Sequence, residues 1–191
     1  MGGRLTLLAA SAMTSDQREL AQKITGSRSK RGTDSGYQTR TEDGRLIGPF
    51  NAFLREPAVG TAYLAWAQAI AASPLSRAVT EATILGVTAR WQAPYVRYAH
   101  TIGARGAGFT DEDIDTILCG GIPTSASPDV AAALSLVATL LDDHRVPNEV
   151  YQAVGSQFGE AATVALVSLI GQYMTTSALL ACFAVPAPEQ L

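Results

Sequence analysis

The stretch 77-RAVTEATILGVTARWQAPYVRYAH-100 decides the fold, because it predicts two helices joined by a chain reversal. Ser76 can cap a first helix over residues 77–91. Pro94 disfavours continuation of that helix, since its ring clashes with the preceding turn and its nitrogen has no proton to donate. The same proline fits the first turn of a new helix. We therefore predict two antiparallel helices with the reversal near residues 92–94.

Helix signals recur on both sides of this pair, whereas strand signals do not. Asp16 and Glu19 have the form of a capping box, and Pro57 fits the first position of a helix. Thr110 precedes acidic residues that suit the positive end of a helix dipole. The abundant alanine also favours helix, so we predict an all-α fold. Besides the hairpin, predicted helices cover residues 16–24, 57–72, a short segment from 111 that stops at Gly120, 128–143, 147–158 and 160–185.

The chain of 191 residues suits a single domain, which we assign to residues 1–191. One segment has no periodicity, and we predict a flexible loop at about 27–45. Its basic residues could meet an acidic substrate, or the loop could simply be solvated. The segments 75–100 and 146–180 resemble each other, because each has a few polar residues followed by a long apolar stretch that predicts a helix. This echo is compatible with duplication of a helical unit.

The composition excludes several classes of function. Hydrophobic residues make up 47% of the chain and charged ones 16%, with a net charge of -3. This charge offers nothing to attract nucleic acid, and the thinly charged surface favours a homo-oligomer. Cys119 and Cys182 form no C-x-x-C pair, so we expect two buried thiols rather than a disulfide framework, zinc site or dithiol centre.

The N-terminal residues 4–13 imitate a signal peptide, but a polar helix start follows directly. We predict that they form an extended arm packed on the domain. No run approaches the roughly 20 apolar residues needed to cross a bilayer, so we expect no membrane partner. The predicted location is the cytoplasm.

A candidate proton-transfer site follows from the predicted hairpin. Glu81 and His100 are 19 residues apart, too far to meet on one straight helix, but a reversal at Pro94 can bring them together. Ala93 and Val96 share a helix face with His100 and would form an apolar floor beneath its ring.

Further polar groups surround the histidine in the sequence. Arg97 lies three residues before His100, and Tyr95 and Tyr98 point to neighbouring sectors of the helix. A histidine, an orienting carboxylate and an arginine that holds an anion are the parts of a proton-transfer site. The alternative is a hydrogen-bonded histidine with a structural role only.

A series of motifs then supports the enzyme interpretation. In chain order the motifs are GPFN at 48–51, Glu81, ARW at 89–91, Tyr95, YAH at 98–100, GAGFTDEDI at 106–114 and LLDDHRVPNEVY at 140–151. In this order they resemble the carboxymuconolactone decarboxylase family, which shares a superfamily with the alkylhydroperoxidase D-like (AhpD-like) proteins. The resemblance implies an AhpD-like helical bundle whose subunits associate as trimers, hexamers or dimers.

The resemblance also argues against peroxide reduction. The peroxidase branch carries a C-x-x-C pair 12 and 15 residues after the glutamate, and a histidine 19 residues after it. Here those positions hold Ala93, Val96 and His100, so Glu81 and the histidine remain while both sulfurs are missing. Peroxide chemistry of that kind needs a thiolate nucleophile.

What remains resembles the decarboxylase branch, which implies neither metal nor cofactor. By that resemblance His100 is the acid–base group and Glu81 its partner, Arg97 or Arg90 binds the substrate anion, and Tyr95 or Tyr98 donates to the developing oxyanion. Asn51, Val96 and Ala93 complete the expected substrate-binding set.

The resemblance implies a carbon–carbon lyase or related proton-transfer enzyme. Its expected substrate is a small organic acid, lactone, or phenolic or polyketide-like compound. Decarboxylation, isomerisation and cyclisation stay open. The competing hypothesis is a helical oligomer that binds a small molecule without catalysis.

Overall fold

The structure, a computed structural model, describes residues 3–30 and 36–188, with residues 27–30 described by their backbone alone. Over this part of the chain the ordered elements are helices, with no strand beyond a single bridge between Arg40 and Leu46. The all-α prediction is confirmed. The helices are α1 (Ser15–Lys30), α2 (Pro49–Phe53), α3 (Pro57–Ala71), α4 (Arg77–Trp91), α5 (Pro94–Gly106), α6 (Asp111–Leu118), α7 (Pro128–Ala138) and α8 (Asn148–Cys182).

The helix α4 is the centre of the bundle, and every residue from 82 to 88 in it is buried. It packs against α5, α6, α7 and α8, and α7 also packs against α8. Gly86 permits the approach of α7, because a Cβ atom there would lie 3.1 Å from Cδ2 of Leu134 and 3.3 Å from Cγ1 of Val137. The main core cluster therefore forms where α4, α7 and α8 meet, and α5 packs against α4 beside it.

The predicted reversal between α4 and α5 is present. Ser76 caps α4, since its Oγ accepts a hydrogen bond from the backbone N–H of Val79 at 3.2 Å. Gln92 ends the helix in the left-handed conformation, with φ 49° and ψ 40°. Ala93 then has extended backbone, and Pro94 opens α5 at its first position. The two helices contact one another along their length as predicted.

The N-terminal helix differs from the prediction at both ends. Its capping pair is Thr14 and Gln17, which exchange backbone and side-chain hydrogen bonds, whereas Glu19 pairs with Lys23 one turn later at 2.7 Å. The helix continues to Lys30, so the segment predicted as a loop over 27–45 starts later. The helix runs on through Gly26, because a single glycine inside a helix costs only about 1 kcal/mol relative to alanine.

The remainder of that predicted loop is only partly described. Residues 31–35 lie outside the described part of the chain. From residue 36 the backbone is irregular but internally bonded: the N–H of Ile47 donates to the carbonyl of Thr39 at 3.0 Å, and the N–H of Thr41 donates to the carbonyl of Arg45 at 2.9 Å. Asp43 lies beside the Arg45 guanidinium, whose hydrogen bond lowers the pKa of this carboxyl to about 2.

The N-terminal arm packs on the domain as predicted. The backbone N–H of Arg4 donates to the carbonyl of Phe183 at 2.7 Å, and its guanidinium donates to the carbonyl of Cys182 at 2.8 Å. These bonds tie the start of the described chain to the end of α8.

The helix α8 is broken at Gly159, where φ is 67° and ψ is 177°, so the two predicted helices on either side are confirmed as separate segments. By length and composition alone α8 could cross a membrane, which corrects the expectation that no run is apolar enough. Core helices of soluble proteins share this composition, and α8 packs here against α2, α3, α4 and α7.

The two cysteines are exposed rather than buried, which corrects the sequence expectation. Cys119 is the C-terminal cap of the short helix α6, and Cys182 is the last residue of α8. Helix ends lie at the surface of this bundle, and a small thiol at such a position gains no burial from the apolar residues around it.

Candidate functional site

A cavity of about 170 Å³ lies between α2, α3, α4, α5 and α8. This is roughly tenfold more than a single buried water needs. Its wall is mainly apolar, with polar groups at a few places: His100, four tyrosines, two glutamines and two threonines. Apolar walls with a few convergent polar groups are typical of small-molecule sites. The apolar contributions include Leu64, Ile70, Ile84, Val96 and Leu169.

Glu81 and His100 meet at this cavity, as the fold-back predicted. Oε2 of Glu81 on α4 lies 2.8 Å from Nδ1 of His100 on α5, and the two side chains are 14% and 15% exposed. The imidazole lines the cavity, whereas the carboxylate lies behind it. The contact orients the ring and favours a proton on Nδ1. The catalytic roles of the two residues stay predictions.

Gly103 makes room for the carboxylate. It follows His100 on α5 by three residues, so the two lie on adjacent turns of one face. A Cβ atom on Gly103 would lie 2.6 Å from both oxygens of Glu81. No side chain fits between α5 and this carboxylate, and the pair depends on the glycine.

Tyr173 completes a chain of three residues, although it is not among the site residues predicted from the sequence. Its Oη lies 3.0 Å from Nε2 of His100, and its ring is perpendicular to the imidazole with centroids 5.0 Å apart. When Nδ1 donates to Glu81, Nε2 is left to accept a hydrogen bond from the tyrosine hydroxyl. The sequence contained one signal for Tyr173: it is the one tyrosine in the uncharged second half of α8.

The phenols of Tyr95 and Tyr98 are used elsewhere, which corrects their assignment as oxyanion donors. The hydroxyl of Tyr95 donates to the carbonyl of Gln38 at 2.7 Å, and the hydroxyl of Tyr98 accepts from the N–H of Gln38 at 3.1 Å. Both therefore hold the backbone of the segment that follows residue 35. The ring of Tyr95 still lines the cavity, while Tyr98 does not.

Gly48 is the reason that the Tyr95 ring fits. A Cβ atom on this glycine would lie 2.4 to 2.7 Å from three ring atoms, and its φ of 63° is a conformation that other residues rarely adopt. The glycine of the GPFN motif thus lets the Tyr95 ring pack against the backbone at the start of α2.

Neither predicted anion-binding arginine reaches the cavity. Arg90 binds Asp142, with Nε to Oδ1 at 3.1 Å and Nη2 to Oδ2 at 2.7 Å, and this hydrogen bonding lowers the pKa of the aspartate. Arg97 is exposed and does not line the cavity. A guanidinium without a partner is costly against an apolar wall, so the helix presents Arg97 to solvent.

Of the other predicted substrate-binding residues, one lines the cavity and two do not. Val96 lines the cavity, and Ala93 is buried in the same apolar cluster without reaching the cavity wall. Asn51 is buried, but its amide donates to the carbonyl of Thr6 at 3.2 Å and accepts from the N–H of Leu8 at 3.1 Å. It therefore holds the N-terminal arm, which the sequence alone did not reveal.

No metal centre is formed by the part of the chain that the structure describes: no three His, Cys, Asp or Glu side chains within it lie together as ligands. Neither cysteine is among the described residues that line the cavity.

Comparison with known proteins supports the resemblance stated from the motifs. Residues 57–139 match the model of the carboxymuconolactone decarboxylase family. The matched segment runs from α3 to the end of α7, so it includes Glu81 and His100 but not Tyr173. No curated protein matches the sequence.

Two solved structures have the same fold. An uncharacterised peroxidase-related protein from Ralstonia eutropha JMP134, described as an alkylhydroperoxidase AhpD core, superposes with a TM-score of 0.76 at 15% identity, over 98% of this chain and 93% of the other. A protein of unknown function from Agrobacterium tumefaciens, described as a candidate antioxidant defence protein AhpD, gives 0.66 at 15% identity, over 80% of this chain and 100% of the other. The AhpD-like helical fold is therefore confirmed.

Proposed function

We propose that this chain is a cofactor-independent acid–base enzyme that moves a proton to or from carbon on a small carbonyl, lactone or phenolic compound. The observation that supports it is the hydrogen-bonded chain from Glu81 through His100 to Tyr173, with the imidazole at the wall of an apolar cavity. The family match over the segment that holds Glu81 and His100 is consistent with this chemistry.

Each member of the chain would have a separate role. Nε2 of His100 would take a proton from a carbon next to a carbonyl, so that the C–H bond breaks and its electron pair forms an enolate. Glu81 would stabilise the resulting imidazolium, and the hydroxyl of Tyr173 would donate to the enolate oxygen. Return of the proton from His100 to another carbon completes an isomerisation.

Decarboxylation is the narrower form that the family's description suggests. There the bond to the carboxyl carbon breaks, CO2 leaves, and protonated His100 delivers its proton to the carbon that keeps the electron pair. An apolar wall favours this step, because a weakly solvated carboxylate is raised in energy relative to the charge-dispersed transition state. A lyase and an isomerase thus share the same acid–base group.

The names of the two structural neighbours suggest peroxide reduction as the alternative. That chemistry needs a thiolate at the reacting centre. Val96 stands at the position of the second sulfur of the peroxidase branch, and it lines the cavity. No cysteine among the described residues lines the cavity, which supports acid–base chemistry at this site. Alkylation of Cys119 and Cys182 should therefore leave activity unchanged.

Deuterium exchange tests the proposal without knowledge of the natural substrate. The protein is incubated in deuterated water with a panel of aryl methyl ketones and small cyclic lactones, and exchange of their α-protons is followed by proton NMR. We expect accelerated exchange that His100→Gln lowers by about 10²-fold or more. The matched control is His144→Asn, which changes the exposed second histidine. Exchange that is equal in the wild type and in His100→Gln across the panel would favour a non-catalytic binding protein.

We also propose that the chain forms a homo-oligomer through α3 and α8. No charged residue lies between Pro57 and Ala71 or between Ala161 and Cys182, and Val59, Trp66, Val164 and Val167 are exposed there. Light scattering should give a mass above that of one chain, and Val164→Asp should lower it. A monomeric wild type would refute this proposal.

A further inference from the structure

Gln172 is a buried glutamine at the wall of the cavity. It lies on α8, its residue is only 5% exposed, and its side chain lines the cavity wall. Among the described residues no group forms a hydrogen bond with its side-chain amide; only its backbone carbonyl accepts one, from the hydroxyl of Thr176 at 2.9 Å. Buried polar groups are normally hydrogen-bonded, so an open amide at a cavity wall points to a ligand.

The surrounding wall contains little charge. Within the described part of the chain, the titratable side chains that line the cavity are His100 and tyrosine phenols, and no arginine, lysine, aspartate or glutamate lines it. Behind His100, the carboxylate of Glu81 at 2.8 Å would offset the charge of an imidazolium. The wall therefore offers no net positive charge to an entering anion.

We infer that the ligand of this cavity is an uncharged ring compound with a hydrogen-bonding oxygen or amide, held by the side chain of Gln172. The inference rests on the proposed function only in taking this cavity as the substrate site. It narrows the substrate class expected from the sequence, which includes small organic acids, to neutral lactones, ketones and phenols, and so favours isomerisation over decarboxylation.

The chemistry of the amide supports this class. A glutamine side chain has two N–H donors and one carbonyl acceptor, so it can serve a carbonyl, a hydroxyl or an amide of the ligand. A carboxylate would lose its hydration on entry and find neutral donors only, and burial of a charge without a charged partner is unfavourable. The apolar wall contributed by Ile84 and Leu169 then suits the ring.

The position of Gln172 also separates binding from proton transfer. It precedes Tyr173 by one residue on α8, so the two side chains leave the helix in different directions. Tyr173 reaches His100, whereas Gln172 and Thr176, four residues apart, share one face. Gln172 would thus bind a ligand oxygen, while other side chains, His100 and Tyr173, take part in the proton transfer.

The test uses two probes of nearly the same shape, neutral para-acetylbenzamide and anionic para-acetylbenzoate, measured by titration calorimetry on the intact protein at neutral pH. We expect the wild type to bind the amide at least tenfold more tightly than the carboxylate. Gln172→Leu should weaken amide binding by about tenfold or more without lowering Tm, because it removes a polar group that forms no hydrogen bond with the described residues. Gln152→Leu, at an exposed position of the same helix, is the matched control and should leave binding unchanged.

The failures of this inference and of the proposed function are distinguishable. Equal or tighter binding of the carboxylate, binding of neither probe at millimolar concentration, or unchanged amide binding in Gln172→Leu would overturn the inference, even if His100 exchanges protons. A second outcome separates the two: the wild type prefers para-acetylbenzamide and loses this preference in Gln172→Leu, but the acetyl methyl protons of the probe exchange no faster with the wild type than with His100→Gln. In that case the inference holds and acid–base catalysis fails.

Discussion

The carboxylate of Glu81 lies directly against the backbone of Gly103, where a Cβ atom would come within 2.6 Å of both carboxylate oxygens. The same carboxylate is 2.8 Å from Nδ1 of His100, three residues earlier on α5. One helix therefore presents both the imidazole and the gap into which its partner fits. The site depends on a residue that has no side chain.

Gly103→Ala should displace the Glu81 carboxylate and separate it from His100. We expect α-proton exchange to fall by about tenfold or more, because the ring loses the group that orients it. Alanine gains about 1 kcal/mol of helix propensity over glycine, which offsets part of the steric cost in thermal unfolding. Gly106→Ala is the control, since a Cβ there meets only the end of the flexible Arg77 side chain. Full activity in Gly103→Ala would contradict the role of the pair.

Glu81→Gln should reduce exchange while leaving the fold intact. The amide preserves the shape and one acceptor of the carboxylate but removes the charge that stabilises an imidazolium. A loss of about 10²-fold is expected for an impaired acid–base group. The measurement is the exchange rate beside far-ultraviolet circular dichroism, and an unchanged rate would assign Glu81 a structural role.

Tyr173→Phe should lower the exchange rate by about tenfold and leave the free energy of unfolding within about 1 kcal/mol, because it removes the hydroxyl and keeps the ring. The hydroxyl is 3.0 Å from Nε2 of His100, so its loss acts on the reacting nitrogen. Tyr151→Phe provides a comparison on the exposed surface of the same helix. Equal effects of the two substitutions would remove Tyr173 from the proposed site.

The pair of Arg90 and Asp142 should contribute to stability and not to activity. Hydrogen bonding from Arg90 lowers the pKa of Asp142 from 3.8, so the contribution is present above that pH and is lost as the pH falls through the lowered folded-state pKa. Since the carboxylate is 48% exposed, Asp142→Asn should cost at most about 1 kcal/mol at pH 7.

Chemical unfolding at several pH values checks this sign. The difference in unfolding free energy between wild type and Asp142→Asn should shrink as the pH is lowered through the folded-state pKa of Asp142. A loss of α-proton exchange in Asp142→Asn would restore Arg90 as a candidate for the site.

The sequence predicted those features that depend on neighbouring residues. Ser76, Gln92 and Pro94 act through their own backbone and the adjacent turns, so the bounds of α4 and the reversal into α5 followed from local chemistry. The meeting of Glu81 and His100 followed in turn, because two antiparallel helices leave few other arrangements for these side chains.

The errors concern side chains whose partners are distant in sequence. The resemblance makes Arg90 a candidate for the substrate anion, yet its partner Asp142 is 52 residues away. Asn51 binds an arm 43 and 45 residues earlier, and Tyr173 reaches His100 across 73 residues. Spacing along one helix contains no information about such partners.

The all-α class, the hairpin at Pro94 and the meeting of Glu81 with His100 follow from the sequence alone, since propensity, capping and the geometry of proline act within a few residues. Only the tertiary structure decided what surrounds that pair: α8 supplies Tyr173 and the open amide of Gln172, while both candidate arginines lie outside the cavity. The physical reason is that helix packing selects which face of each helix is buried, and an unpaired charge is excluded from an apolar wall wherever solvent or a carboxylate is within reach.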